Sequence, residues 1–147
     1  MDPADGKKEL GRLLDTRYTG VLATSAKDRP YTSLVAFAVF EGLKELVFAT
    51  PEQTRKYDNL MANPHVAILI DDRAGDPSDI RRAAAVTATG TARELGGSEK
   101  QEGVAIYLSR HPNLKEFVRL DSTALFSVSV QEYILVSRFQ DVIRISP

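Results

Sequence analysis

Thr54-Arg55-Lys56 sets a hydroxyl and two cations side by side. The preceding residues, Lys44 to Ala49, read as a strand, and the following ones, up to Ala62, carry a helical spacing. The three therefore stand where a helix begins. A helix start presents backbone N–H groups without intrahelical acceptors and the positive end of the macrodipole. With a hydroxyl and two fixed positive charges added, such a site suits a phosphate group. Thr50, four residues earlier, adds a second hydroxyl. This pattern predicts that the stretch from Lys44 to Asp71 holds a phosphorylated cofactor.

Other chemistries have little to stand on. Without cysteine there is no thiolate nucleophile, no Cys-type zinc site and no disulfide. The two histidines, His65 and His111, are distant in sequence and each adjoins a proline, which suits structural or exposed roles better than metal ligation. Neither a nucleophile elbow nor a glycine-rich dinucleotide or P-loop fingerprint is present. A net charge of −1 gives no basic field to recruit nucleic acid or an anionic membrane surface.

The elements around the cluster follow from periodicity. Residues 5 to 17 read as an amphipathic helix with Leu10, Leu13 and Leu14 on one face. Thr19 to Ser25 reads as a strand, closed by the polar turn Ala26 to Pro30. Tyr31 to Phe40 passes from polar to continuously apolar, so both faces are to be covered, one by the core and the other by a helix, a partner subunit or a flat ligand. Glu41-Gly42-Leu43 suits a hairpin turn. The helix from Thr54 to Ala62 carries Tyr57, Leu60 and Met61 as its apolar stripe and stops at Asn63-Pro64.

Further along, His65 to Asp71 is a strand, Asp72 to Ser78 an exposed loop, and Arg81 to Leu95 a long strand bent or bulged at Gly90. A second helix spans Ser98 to Ser109, with Ser98 and Gln101 at capping-box spacing. Leu114 to Leu120 forms a short helical turn. Ala124 to Val130 and Tyr133 to Ser137 read as strands separated by a Gln131-Glu132 turn, and Val142 to Ile145 as a last short one. Six to eight strands, mostly antiparallel, with few helices predict a small β-barrel in a single domain covering residues 1–147. The N-terminal residues carry no apolar signal-peptide core, and no window reaches the ~20 apolar residues of a membrane span, which points to a cytoplasmic protein.

The segment Phe48-Ala49-Thr50-Pro51-Glu52-Gln53-Thr54-Arg55-Lys56 resembles the flavin-phosphate segment of the pyridoxamine 5'-phosphate oxidase-like family. Gly20 to Thr24, Pro30 to Phe40, and Asn59-Leu60 with Asn63-Pro64-His65-Val66-Ala67 fit its flanks in order and spacing. The resemblance implies a split β-barrel that forms a homodimer with FMN in a cleft at the subunit interface. It assigns the FMN phosphate to Thr54, Arg55 and Lys56, the phosphate or ribityl neighbourhood to Thr50 and Gln53, and the border of the isoalloxazine to Ser33, Leu34, Val35 and Ala36. An FMN-dependent oxidoreductase using NADH or NADPH on a small-molecule acceptor is the implied activity. A flavin or haem binding or sensing protein, or a deazaflavin-dependent reductase, would use the same fold. The resemblance does not extend to vitamin B6 oxidation itself: the C-terminal substrate-binding Arg and His of those oxidases have no counterpart here, and Ala85 stands near a position where they carry a flavin-binding glutamine. Arg81, Arg82 and the 72–78 loop are candidates for a substrate-side rim.

Overall fold

In a computed structural model, which describes residues 1–40 and 42–147, the chain runs α1 (Pro3–Thr16), β1 (Thr19–Ala26), β2 (Arg29–Phe40), β3 (Glu45–Pro51), α2 (Arg55–Ala62), β4 (His65–Asp71), α3 (Asp79–Arg82), β5 (Ala85–Glu94), α4 (Gly97–Arg110), a 3-10 turn (Pro112–Leu114), α5 (Lys115–Arg119), β6 (Thr123–Ser137) and β7 (Asp141–Ile145). Every strand pairing is antiparallel. The strand order β3-β2-β1-β4-β5-β6 closes on itself because β3 also pairs with β6, and β7 extends the sheet beyond β6. Closure removes the exposed edges that a six-stranded open sheet would carry.

Side-chain alternation divides two apolar layers. Leu22, Phe37, Phe48, Ile68, Val86, Phe126 and Leu135 fill the barrel, and Leu10, Leu13 and Leu14 of α1 join that core. Ala38, Val47, Ala49 and Leu125 point outward and pack with Tyr107 and Val118 of the helical layer. The continuous apolar run of β2 is thus explained over its second half by a helix. Gly6 of α1 lies where a Cβ would come within 3.0 Å of Ile143, so a small residue lets α1 seat against β7.

The barrel is split by the register of β2. Its residues Phe37–Phe40 pair with Phe48–Glu45 of β3, but the stretch 29–36 pairs with β1 alone. Beyond Ala49, β3 in turn is held only by β6. The two strands fork at Phe37 and Phe48. At the fork, His111 is buried and its Nε2 lies 2.6 Å from the Phe37 carbonyl, while the Phe37 amide donates to the Tyr18 carbonyl. Both Phe37 backbone groups are therefore satisfied just where β1 begins.

Several expectations need correction. Arg81 and Arg82 belong to the short helix α3, not to the following strand, which starts at Ala85. Gln131-Glu132 is not a turn: β6 is one strand of 15 residues, and the register passes from Thr89↔Glu132 to Gly90↔Val130, leaving Gln131 as the extra residue of a bulge. Gly90 is required there because a Cβ would fall 2.1 Å from the Ser129 carbonyl oxygen. Helix α4 starts after Gly96 with no side-chain cap, so the Ser98–Gln101 capping box does not form; Gly97 has a φ of 57°, which favours glycine. Met61 is 60% exposed and leaves the buried stripe of α2 to Leu60 and Asn59. Of the expected Glu41-Gly42-Leu43 hairpin turn, Glu41 lies outside the described residues, and Gly42 has a φ of 66°.

Candidate functional site

Helix α2 packs on β1 and β3 and puts Leu60 and Tyr57 against the barrel core. Buried Asn59 donates from Nδ2 to Thr24 Oγ1 on β1 at 3.1 Å. Tyr57 sets its ring edge-on to Phe126 at 5.9 Å and donates its hydroxyl to Glu94 Oε1 at 2.9 Å. These contacts fix where the first residues of the helix point.

The start of α2 is built by two threonines. Thr54 is the N-cap in extended conformation, and its Oγ1 accepts the Tyr57 amide at 3.1 Å, as an N-cap hydroxyl does. The same hydroxyl donates to the Pro51 carbonyl at 3.0 Å and lies 3.1 Å from Thr50 Oγ1, which also reaches the Pro51 carbonyl at 3.1 Å. Thr50 is fully buried at the end of β3. The Glu52 amide donates to the Ser122 carbonyl, tying the loop to the start of β6. The hydroxyls that sequence reading offered as phosphate donors are thus engaged within the loop and give it its shape.

What remains open to a ligand is cationic. As the first two helical residues, Arg55 and Lys56 have amides without intrahelical acceptors. Arg55 is exposed, and its guanidinium lies 5.0 Å from the centre of the Tyr31 ring, a cation–π contact reaching across to β2. Lys56 is half-buried, and burial alone holds its ammonium below the ordinary lysine value. Among the described residues no carboxylate lies within 4.0 Å of either cation, although seven ion pairs form elsewhere. Two adjacent positive charges, one of them partly desolvated, thus stand together without a carboxylate partner among the described residues. Gln53 is exposed beside them.

The four β2 residues do not present one face. Val35 is buried in the barrel core and Ser33 lies on the same side, with its Oγ buried and without a hydrogen-bond partner. Leu34 points out and is 68% exposed, and Ala36 packs under the helical layer. What the four share is the unpaired edge of the split, whose backbone groups have no strand beside them on the β3 side. Tyr31, which meets Arg55, is a residue that sequence reading did not single out. Its place two residues before Ser33 on the same side of a strand was the available signal. Arg81 packs over the Phe139 ring at 5.0 Å and joins the β6–β7 turn rather than the cradle. Among the described residues no cluster of His, Cys, Asp or Glu could hold a metal ion, and no helix is long and apolar enough to cross a membrane.

A closed antiparallel barrel in which β2 and β3 part at Phe37 and Phe48 is a split barrel. The chain belongs to the pyridoxamine 5'-phosphate oxidase family, whose pattern it matches over residues 7–137. Among solved structures it is similar to a haem-binding protein from Mycobacterium smegmatis, at 20% identity and a TM-score of 0.81, with 91% of this chain and 55% of that one covered. It is also similar to HutZ, the haem storage protein from Vibrio cholerae, at 19% identity and a TM-score of 0.75, covering 90% and 94% of the two chains. General Stress Protein 26 from Bacillus anthracis gives 20% identity, a TM-score of 0.69 and coverage of 95% and 98%. The chain therefore spans about half of the first of these and nearly all of the other two. At these identities the likeness is one of fold. No curated protein matches the sequence.

Proposed function

We propose that the protein binds FMN and acts as an FMN-dependent oxidoreductase that takes electrons from NADH or NADPH. The observation that carries this reading is the pair Arg55 and Lys56, adjacent at a helix start and, among the described residues, without a carboxylate within 4.0 Å. A terminal phosphate matches two cations and two unpaired amides in charge and in hydrogen-bonding capacity. Ser33 supports it independently, because a buried hydroxyl without a partner costs free energy unless a ligand satisfies it. When bound, flavin supplies hydride or electron transfer, so the chain itself needs no acid–base dyad.

In this reading Thr50 and Thr54 keep the loop in shape, Arg55 and Lys56 hold the phosphate, and Gln53 lies beside the ribityl chain. The unpaired edge of β2 from Ser33 to Ala36 orients the flat ring, with Tyr31 and the Arg55 guanidinium closing the near side. A homodimer with the cofactor at the subunit interface completes the proposal. Exposed Leu34, which shares a surface groove with Tyr18, Val21 and Leu69, supports it as an apolar side chain at the split without a helix over it.

A second reading, haem binding or sensing without turnover, is favoured by the names of two structural relatives. Here His111 is an unsuitable ligand, since it is buried and its Nε2 is engaged with the Phe37 carbonyl. His65, exposed at the start of β4, would be the candidate. A deazaflavin would use the same cations as FMN. Anaerobic mixing of the FMN-loaded protein with NADPH tests the leading reading. Loss of the oxidised-flavin absorbance on a turnover timescale is expected; persistence of that absorbance with both NADH and NADPH would leave a binding protein.

A further inference from the structure

Tyr31 and helix α2 are joined twice. At the surface, the Arg55 guanidinium lies over the Tyr31 ring, 5.0 Å from its centre. Beneath it, Thr24 Oγ1 donates to the Tyr31 carbonyl at 3.5 Å and accepts from Asn59 Nδ2 at 3.1 Å. Tyr31 and Thr24 are paired residues of β2 and β1, and Arg55 and Asn59 stand one turn apart on one face of α2. The four residues close a circuit from strand to strand to helix and back. Thr24 and Asn59 are both buried, which keeps water out of the inner leg.

The circuit sets the position of a ring that would otherwise be loosely held. Tyr31 belongs to the stretch of β2 that pairs with β1 alone, so its place relative to α2 comes through Thr24 and Asn59. Arg55, in turn, is an exposed arginine. Such a side chain samples many rotamers, and gathering them around an anion costs binding free energy. A ring already beneath the guanidinium removes part of that cost before a ligand arrives. The contact uses the charge of the guanidinium rather than its N–H donors, so the planar fork stays free for an anion. Among the described residues no ring lies over Lys56, which leaves Arg55 as the cation with a set direction.

We infer that Tyr31 is a specificity-determining residue: by holding Arg55 in place it raises the preference for a phosphomonoester over the same ligand without its phosphate. This rests on the reading that the start of α2 holds the FMN phosphate. Tyr31 acts there through Arg55 and is a positioning residue.

The ratio of the riboflavin and FMN dissociation constants, both from quenching of flavin fluorescence, tests it, because the ring system is common to the two ligands. Tyr31→Leu is expected to lower the preference for FMN about threefold to tenfold, the worth of a cation–π contact. Tyr31→Phe, which keeps the ring, should retain the parent's preference. In an Arg55→Ala background, Tyr31→Leu should change it no further. A parent that prefers FMN, with that preference unchanged in Tyr31→Leu or lowered equally in the Arg55→Ala background, would overturn the inference and leave the phosphate reading standing. A parent that binds FMN no better than riboflavin would refute the phosphate reading and the inference with it. Should Tyr31→Leu fail to fold, the Arg55 Nε–H resonance of the ¹⁵N-labelled parent carries the test. A ring-current displacement present in the free protein and kept on addition of FMN is expected; a resonance at its ordinary position in either state would overturn the role given to Tyr31.

Discussion

Thr50 and Thr54 hold their hydroxyl oxygens 3.1 Å apart, and both converge on the carbonyl of Pro51. This small triangle joins the end of β3 to the start of α2 and fixes the direction of the two cations that follow. It also assigns different work to neighbouring residues. The threonine hydroxyls shape the loop, and in the proposed reading Arg55 and Lys56 meet the phosphate.

Replacing both Arg55 and Lys56 by alanine is expected to weaken FMN binding by roughly 2–4 kcal/mol, from two charge-assisted contacts. Quenching of flavin fluorescence on titration measures it. An unchanged affinity would put the phosphate elsewhere.

Thr54→Ala removes the cap that accepts the Tyr57 amide and should cost about 1 kcal/mol of stability. Thr54→Ser, which keeps the hydroxyl, should recover most of it. Chemical denaturation of the two variants makes the comparison, and equal losses would show that the methyl group rather than the cap matters.

Gly90→Ala would drive a Cβ to 2.1 Å from the Ser129 carbonyl oxygen. The β5–β6 bulge cannot absorb this without moving backbone, so a loss of about 3 kcal/mol or more is expected. A thermal midpoint within a degree or two of the parent would mean that the bulge relaxes freely.

The loop before α3 depends on one carboxylate. Asp79 accepts the amides of Ala74, Gly75 and Asp76, and the first two of these chiefly hold its pKa below the ordinary aspartate value. A depressed carboxylate stabilises the fold above its unfolded pKa, and the contribution disappears as pH falls through the folded value. The protection factors of amides 74–76, taken against the intrinsic exchange rate at each pH, should therefore be high at neutral pH and fall below about pH 4, the ordinary aspartate range. In Asp79→Asn they should be low throughout. Protection that survives in Asp79→Asn would contradict the role given to the carboxylate.

The parts of this architecture that rest on local chemistry were readable in the sequence. Thr54 sits at the cap of α2, as its place before a helical spacing implied, and the uninterrupted apolar run of β2 does have two covered faces over its second half. Gly90 marked its bulge correctly, but the partner residue did not show itself: Gln131 followed by Glu132 looks like a turn, whereas β5 and β6 continue past it on both sides. The glycine-free turn after β1 was located by its polar residues, but its conformation was not. Lys27 and Asp28 take φ of 53° and 60° between β1 and β2, a conformation their side chains do not advertise. The cation–π contact between Arg55 and Tyr31 depends on the fork in β2, and that fork follows from the register of three strands. No local pattern encodes it.

The central claim is that the start of α2 grips the phosphate of FMN. Its most direct test is the absorption spectrum of the purified protein after incubation with FMN and removal of the excess, followed by identification of what is released on denaturation. The account predicts a bound flavin spectrum and release of about one FMN per chain, with the Arg55→Ala, Lys56→Ala variant losing it on the same column. A protein that stays colourless after exposure to FMN, or a variant that retains flavin as the parent does, would contradict it.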